Sequence, residues 1–170
     1  YAEQCGISFD DSIMPKDVYE IALGKQPGNK EAASEAFRQF GRSLGFSLIN
    51  LLSLIDGIVV LGGGITNAWE LFAPDMFEEL NWVFKDFRGN EFPRLSYKVY
   101  DLENNAHFDE FVTGEVREIT VPRSERKISY DAMQRTGIGR TAMGTSQATA
   151  LCAYAFGLQE LDKSHHVKNF

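Results

Sequence analysis

Cysteine, positive charge and long apolar runs are all in short supply in this chain of 170 residues. The two cysteines, Cys5 and Cys152, exclude a disulfide-rich scaffold and a cysteine-based zinc site, and their isolation fits a reduced compartment. Cys152 lies in an apolar stretch and reads as a small buried hydrophobe. Seventeen Lys and Arg against twenty-four Asp and Glu leave a net charge of -7. That argues against nucleic-acid binding, which needs a concentrated basic face, but leaves room for a local site that takes a polyanion. The longest uncharged runs, 43–55 and 57–69, are split by Asp56 and are too short to cross a bilayer. A cytoplasmic domain without membrane contact is the expectation. The chain begins at Tyr1 with no signal-peptide pattern behind it, so a processed product or half of something larger is expected. Apolar residues are plentiful at 44%, with thirteen Phe and six Tyr, enough for one domain with a real core.

Residues 15–23 read as a short helix opened by Pro15, and Gly and Pro mark a turn over 24–29. A long helix is predicted from about Lys30 to Ile55, with Ala32, Ala36, Phe40, Leu44, Leu48 and Leu52 repeating every four residues. Its second half should be buried. Gly41 and Gly45 share a face and permit another backbone to approach closely. Asp56 and Gly57 end the helix. Ile58 to Leu61 is a continuous apolar run, the pattern of a central strand covered on both faces. Three glycines follow, and Asn67 with Glu70 forms a capping pattern for a helix that Pro74 interrupts. Residues 75–86 read as a further helical section. Strands are predicted at 95–100, with one wet face, and at 118–122, and a long surface connection over 123–144. The alanine-rich stretch 147–161, capped by Ser146, reads as a closely packed helix, followed by a fraying tail. Helix, buried strand, glycine loop and helix in that order is an α/β architecture.

The strongest local signal is the run LGGGITNAWE at 61–70. Glycines after a buried strand let the backbone turn sharply and come close to a ligand, with peptide N–H groups free to hold phosphate. A tight turn chosen for geometry alone is the competing reading, and the residues leave both open. No Gly-Lys-Ser/Thr follows, so this is not a P-loop, and Asn67 stands where a dinucleotide fingerprint needs its third glycine.

The stretch from Glu31 to Met76 resembles the second half of the ROK family of bacterial glucokinases, related sugar kinases and sugar-responsive repressors. Leu44-Gly45, Leu48, Asn50-Leu51-Leu52, Asp56, Leu61 and Gly62 to Gly64 carry the likeness, with Gly57 replacing the usual proline. The segments 17–32 and 148–158 are similar to flanking family helices. The resemblance implies an RNase H-like domain of the actin/hexokinase type, a mixed central sheet flanked by helices. It implies that residues 1–170 form a single carboxy-terminal domain, half of a two-domain protein, with an insertion within 87–145. It implies an ATP-dependent sugar kinase using Mg2+, in which Gly62, Gly63, Gly64, Ile65 and Thr66 border the nucleotide. The implied partners are an amino-terminal sugar-binding domain, a sugar substrate and a second copy in a homodimer. A non-catalytic, sugar-responsive repressor or binding domain of the same fold is the alternative. The family's phosphate loop, catalytic aspartate and zinc cluster have no counterpart here, so no catalytic or metal-ligating residue is assigned. The chain alone is expected to be catalytically silent.

Other candidates have plainer readings. Ser146 sits in a segment superficially similar to that of subtilisin-like proteases, but neither the following proline nor Asp and His motifs accompany it. His107 reads as solvated or paired, and His165 with His166 lacks ligand spacing. Asp56 reads as a helix stop, and Asp109 with Glu110 as solvated surface. Arg123, Arg126, Lys127, Arg135 and Arg140 make a local positive segment, read as a charged loop.

Overall fold

The computed structural model describes residues 1–8 and 13–167. Its backbone is the helix pair α2 (Pro15–Ala22) and α3 (Lys30–Leu52), preceded by a single turn, α1 (Ala2–Cys5). Asn29 caps α3, its side-chain oxygen accepting from the Ala32 N–H at 3.0 Å. The buried stripe of α3 runs through Ala32, Ala33, Phe37, Gly41, Gly45, Leu48, Ile49 and Leu52. Of the expected four-residue repeat, Ala32, Leu48 and Leu52 are buried and Ala36 and Leu44 partly so, whereas Phe40, like Phe46 and Leu51, is exposed. Far from ending buried, α3 stays amphipathic to its last turn.

Against that stripe lies α4 (Trp69–Leu80), whose Phe72, Ala73, Met76 and Leu80 are all buried. This face carries α4 straight through Pro74, which was expected to break it. The proline forfeits one backbone hydrogen bond near the start of the helix, a loss that continuous burial along α3 offsets. Beyond Leu80 the expected helical section is instead a hairpin of β2 (Val83–Lys85) and β3 (Glu91–Pro93), with Asp86 accepting from the N–H groups of Arg88 and Asn90 in its turn.

The main sheet has three parallel strands in the order β1 (Val59–Leu61), β7 (Arg135–Arg140), β4 (Lys98–Asp101). Two expectations are corrected here. The apolar run at 58–61 forms an edge strand, with Val60 61% exposed, because nothing among the described residues covers its outer face. The central strand is β7, inside the stretch read as a surface connection. Its glycines look like loop signals, yet Gly137 is a packing feature: a methyl group there would lie 2.6 Å from Leu102 Cδ2. On β4 both Val99 and Tyr100 are buried rather than alternating with water, because α4 lies against one side and α5 (Asn105–Thr113) closes the other.

The remaining elements extend outward. Strands β5 (Val116–Thr120) and β6 (Lys127–Asp131) pair as a separate antiparallel hairpin, every residue of which is exposed. The last helix, α6 (Thr145–Val167), was expected to pack closely, but Leu151, Tyr154, Phe156 and Leu158 are all exposed. Cys152, expected to be buried, is exposed with them. Ser146 stands within the first turn of α6 rather than at its cap. The tail expected to fray is helical as far as Val167, and residues 168–170 lie outside the described residues.

Candidate functional site

All three strands of the sheet run in one direction, so Leu61, Arg140 and Asp101 end at the same edge. Ligand sites of open α/β sheets lie beyond the carboxyl ends of strands, and the triple-glycine loop leaves β1 at that edge. Loop and sheet are tied together by the Thr141 N–H, which donates to the Leu61 carbonyl at 2.9 Å.

The three glycines differ in what they do. Gly62 faces Thr141, whose methyl a Cβ would approach to 3.2 Å. Gly63 has φ +98°, a conformation that L side chains rarely adopt. Gly64 has neither constraint. Its φ is not in the left-handed region, and a Cβ there would point into open space. Turn geometry and internal packing thus account for two of the three. What Gly64 gains from lacking a side chain is an open approach to its backbone.

From Gly64 the chain enters a short 3-10 helix, Gly64–Ala68, and then α4. The expected Asn67–Glu70 cap does not form. The turn is held by Thr66 instead, whose N–H and hydroxyl both donate to the Gly63 carbonyl, the hydroxyl at 2.7 Å. Thr66 is buried and braces the loop from within, whereas Ile65 is exposed on its outer side.

Two cavities adjoin the segment that follows the glycines. Ile65 joins Tyr1, Val18, Ala36, Phe37 and Phe40 around an apolar cavity of about 610 Å³. Asn67 and Glu70 meet Asp101, Glu103, Asn104 and Arg140 around a polar crevice of about 320 Å³. Glu103 fixes the position of Arg140, accepting from its backbone N–H at 3.0 Å and its Nε at 2.7 Å. These bonds hold the Glu103 carboxyl below the ordinary range, against a desolvation that pushes it up. The indole Nε1 of Trp69, at the start of α4, is buried with no hydrogen-bond partner among the described residues. The apolar cavity is the larger space and can shield the flat face of an aromatic ligand, while the exposed glycine backbone offers N–H groups beside it. In the sequence Ala36 and Phe40 belong to the four-residue repeat of the long helix and Val18 to the short helix over 15–23. Only the folded pairing of α2 with α3 shows that they line a cavity.

The other candidates lie apart from this site. Glu110 accepts from the Tyr100 hydroxyl at 2.7 Å and pairs with Lys98 at 3.1 Å, bonds that lower its pKa. Beside them, the His107 ring meets Tyr100 edge-on, its buried Nδ1 without a partner among the described residues. Arg135 pairs with Asp131 at 2.6 Å and donates to the Phe111 carbonyl, so it is structural. The side chains of His165 and His166 lie outside the described residues. Among the described residues no group of three or more His, Cys, Asp or Glu stands at metal-binding separation, and no helix is long and apolar enough to cross a membrane.

A parallel α/β sheet edged by a glycine loop, with helices packed against it, belongs to the actin/hexokinase-like class of fold. The solved glucokinase of Parabacteroides distasonis matches 94% of this chain with a TM-score of 0.76 and 36% sequence identity, and the relationship is glucokinase-like. The chain spans 42% of that glucokinase. No protein-family model and no curated protein matches the sequence.

Proposed function

We propose that this chain is the carboxy-terminal, nucleotide-binding domain of an ATP-dependent sugar kinase of the ROK family. The observation that carries the reading is Gly64, which neither its φ nor its packing requires to be glycine, beside an apolar cavity of about 610 Å³. Gly62, Gly63, Gly64 and Ile65 would hold the nucleotide, its base against Val18, Ala36 and Phe40 and its backbone contacts along the loop. Thr66 would keep the loop in shape. Bound ATP, accompanied by Mg2+, supplies the transferable phosphoryl group. The groups that orient a sugar hydroxyl and take its proton belong to an amino-terminal domain, and a second copy completes a homodimer. The glucokinase match supports a hexose as acceptor.

Joining the chain to its amino-terminal domain and assaying ATP-dependent phosphorylation of hexoses tests the proposal. Activity in the joined protein and none in this chain is the expected result. A joined protein that folds and binds sugar but transfers no phosphate would turn the reading to a non-catalytic sensor of the same fold.

A further inference from the structure

The β5–β6 hairpin is an arm without a covered face. Its root is firmly built: Asp131 accepts from the N–H groups of Glu115 and Met133, each at 3.0 Å, while pairing with Arg135. Gly114 turns the chain into it with φ +60°. Beyond the root all ten strand residues are exposed. The register places Ile119 opposite Ile128 and Arg117 opposite Tyr130, so these four share one face. Ile119, Ile128 and Tyr130 remain 42–51% exposed there. A lone two-stranded ribbon is marginal in water and gains from an apolar covering.

The arm also differs in charge from the rest of the molecule. Residues 116–131 hold four Lys and Arg against three Asp and Glu, leaving thirteen against twenty-one elsewhere in the chain. Arg117 and Lys127 pair with Glu115 and Glu118. Arg123 and Arg126, at the tip, enter no ion pair among the described residues. Arg123 is moreover the one non-glycine residue with positive φ among the described residues, at +64°. It stands after Pro122 in a turn closed by the Ser124 N–H on the Val121 carbonyl, where glycine is the unstrained choice. A strained position occupied by arginine points to a use for its side chain.

We infer that this arm docks on the acidic body of a second copy of the chain, its arginine tip supplying charge complementarity and its Ile119–Ile128–Tyr130 face the apolar contact. A nucleic acid is disfavoured as the occupant, because the strong negative charge of the body would repel it. The inference gives a surface to the self-association proposed above and rests on that reading, but not on the nucleotide site.

Sedimentation equilibrium of the chain at low and high salt, beside the triple variant Arg123→Glu, Arg126→Glu, Lys127→Glu, tests it. The substitutions lie at exposed positions, and thermal unfolding checks the fold. The expected result is a dimer whose dissociation constant rises about tenfold or more in the variant, and also rises as salt goes from about 50 to 500 mM. A dimer indifferent to both changes would keep the self-association and remove the arm from it. A chain that is monomeric throughout would overturn both, and binding of duplex DNA lost in the variant would replace the second copy with a nucleic acid.

Discussion

Gly41 lies where α3 and α4 come closest, and enlarging it by one methyl group should damage the core directly. A Cβ there would overlap the Phe72 carbonyl oxygen and stand 3.1 Å from its carbonyl carbon and 3.3 Å from the Met76 nitrogen. These are backbone atoms of a neighbouring helix, which cannot rotate away as a side chain does. Relief requires that α4 shift as a body, disturbing Phe72 and Met76, both fully buried. Replacing glycine by alanine inside a helix by itself gains up to about 1 kcal/mol. Overpacking costs about 1–3 kcal/mol, sometimes more, and the rigid wall places this site at the upper end. Gly41→Ala should therefore lose about 2 kcal/mol net, and in a domain of this size the melting temperature should fall by about 4–8 °C. Urea unfolding measures the first quantity and calorimetry the second. Ser43→Ala, on the exposed side of the same helix, should change stability by about 0.5 kcal/mol or less. If Gly41→Ala proves as stable as the parent, the close helix contact, and with it the reason given for this glycine, is wrong.

Other consequences concern the sheet and the arm. Thr136 is 2% exposed and its hydroxyl donates to the Gly57 carbonyl, so Thr136→Val should cost about 1 kcal/mol in urea unfolding. Asp131 is held far below the ordinary carboxylate range, chiefly by its hydrogen bond with Arg135 and then by the Glu115 and Met133 N–H groups. Its folded pKa is depressed, so its contribution is complete above the unfolded value near 4 and is lost as pH falls below it. Asp131→Asn should accordingly flatten the decline in stability below pH 4, and an unchanged acid limb would contradict that assignment.

The elements legible in the sequence are those whose pattern comes from one continuous face. The helices over 15–22 and 30–52 follow from amphipathic spacing, from Pro15 at the start of the first and from the Gly and Pro of the turn before the second. The close-approach role of Gly41 and Gly45 was legible too, because two glycines four apart on a helix have few other uses. The central strand was not. Gly137 is small to admit Leu102, a residue distant in sequence, and with Gly139 it imitates a loop signal locally. Val60 shows the opposite error, since an apolar run reveals a preference for burial and not the identity of the cover. At the candidate site the loop at 62–64 was legible from composition, but the separate reasons for its three glycines emerge only from φ and from what a Cβ would meet. The cavity beside it depends on how α2 and α3 cross, which no local pattern encodes.

The nucleotide-binding reading is tested most directly by titrating a non-hydrolysable ATP analogue into the chain and into Gly64→Val, with thermal unfolding measured alongside. A Cβ there meets no atom within 4 Å and the position requires no left-handed backbone, so the fold should survive with stability changed by about 1 kcal/mol or less. The account predicts that the chain binds the analogue and that the variant, equally well folded, loses at least about tenfold in affinity, or about 1.4 kcal/mol. Equal binding by the two proteins, or none by either, would contradict it.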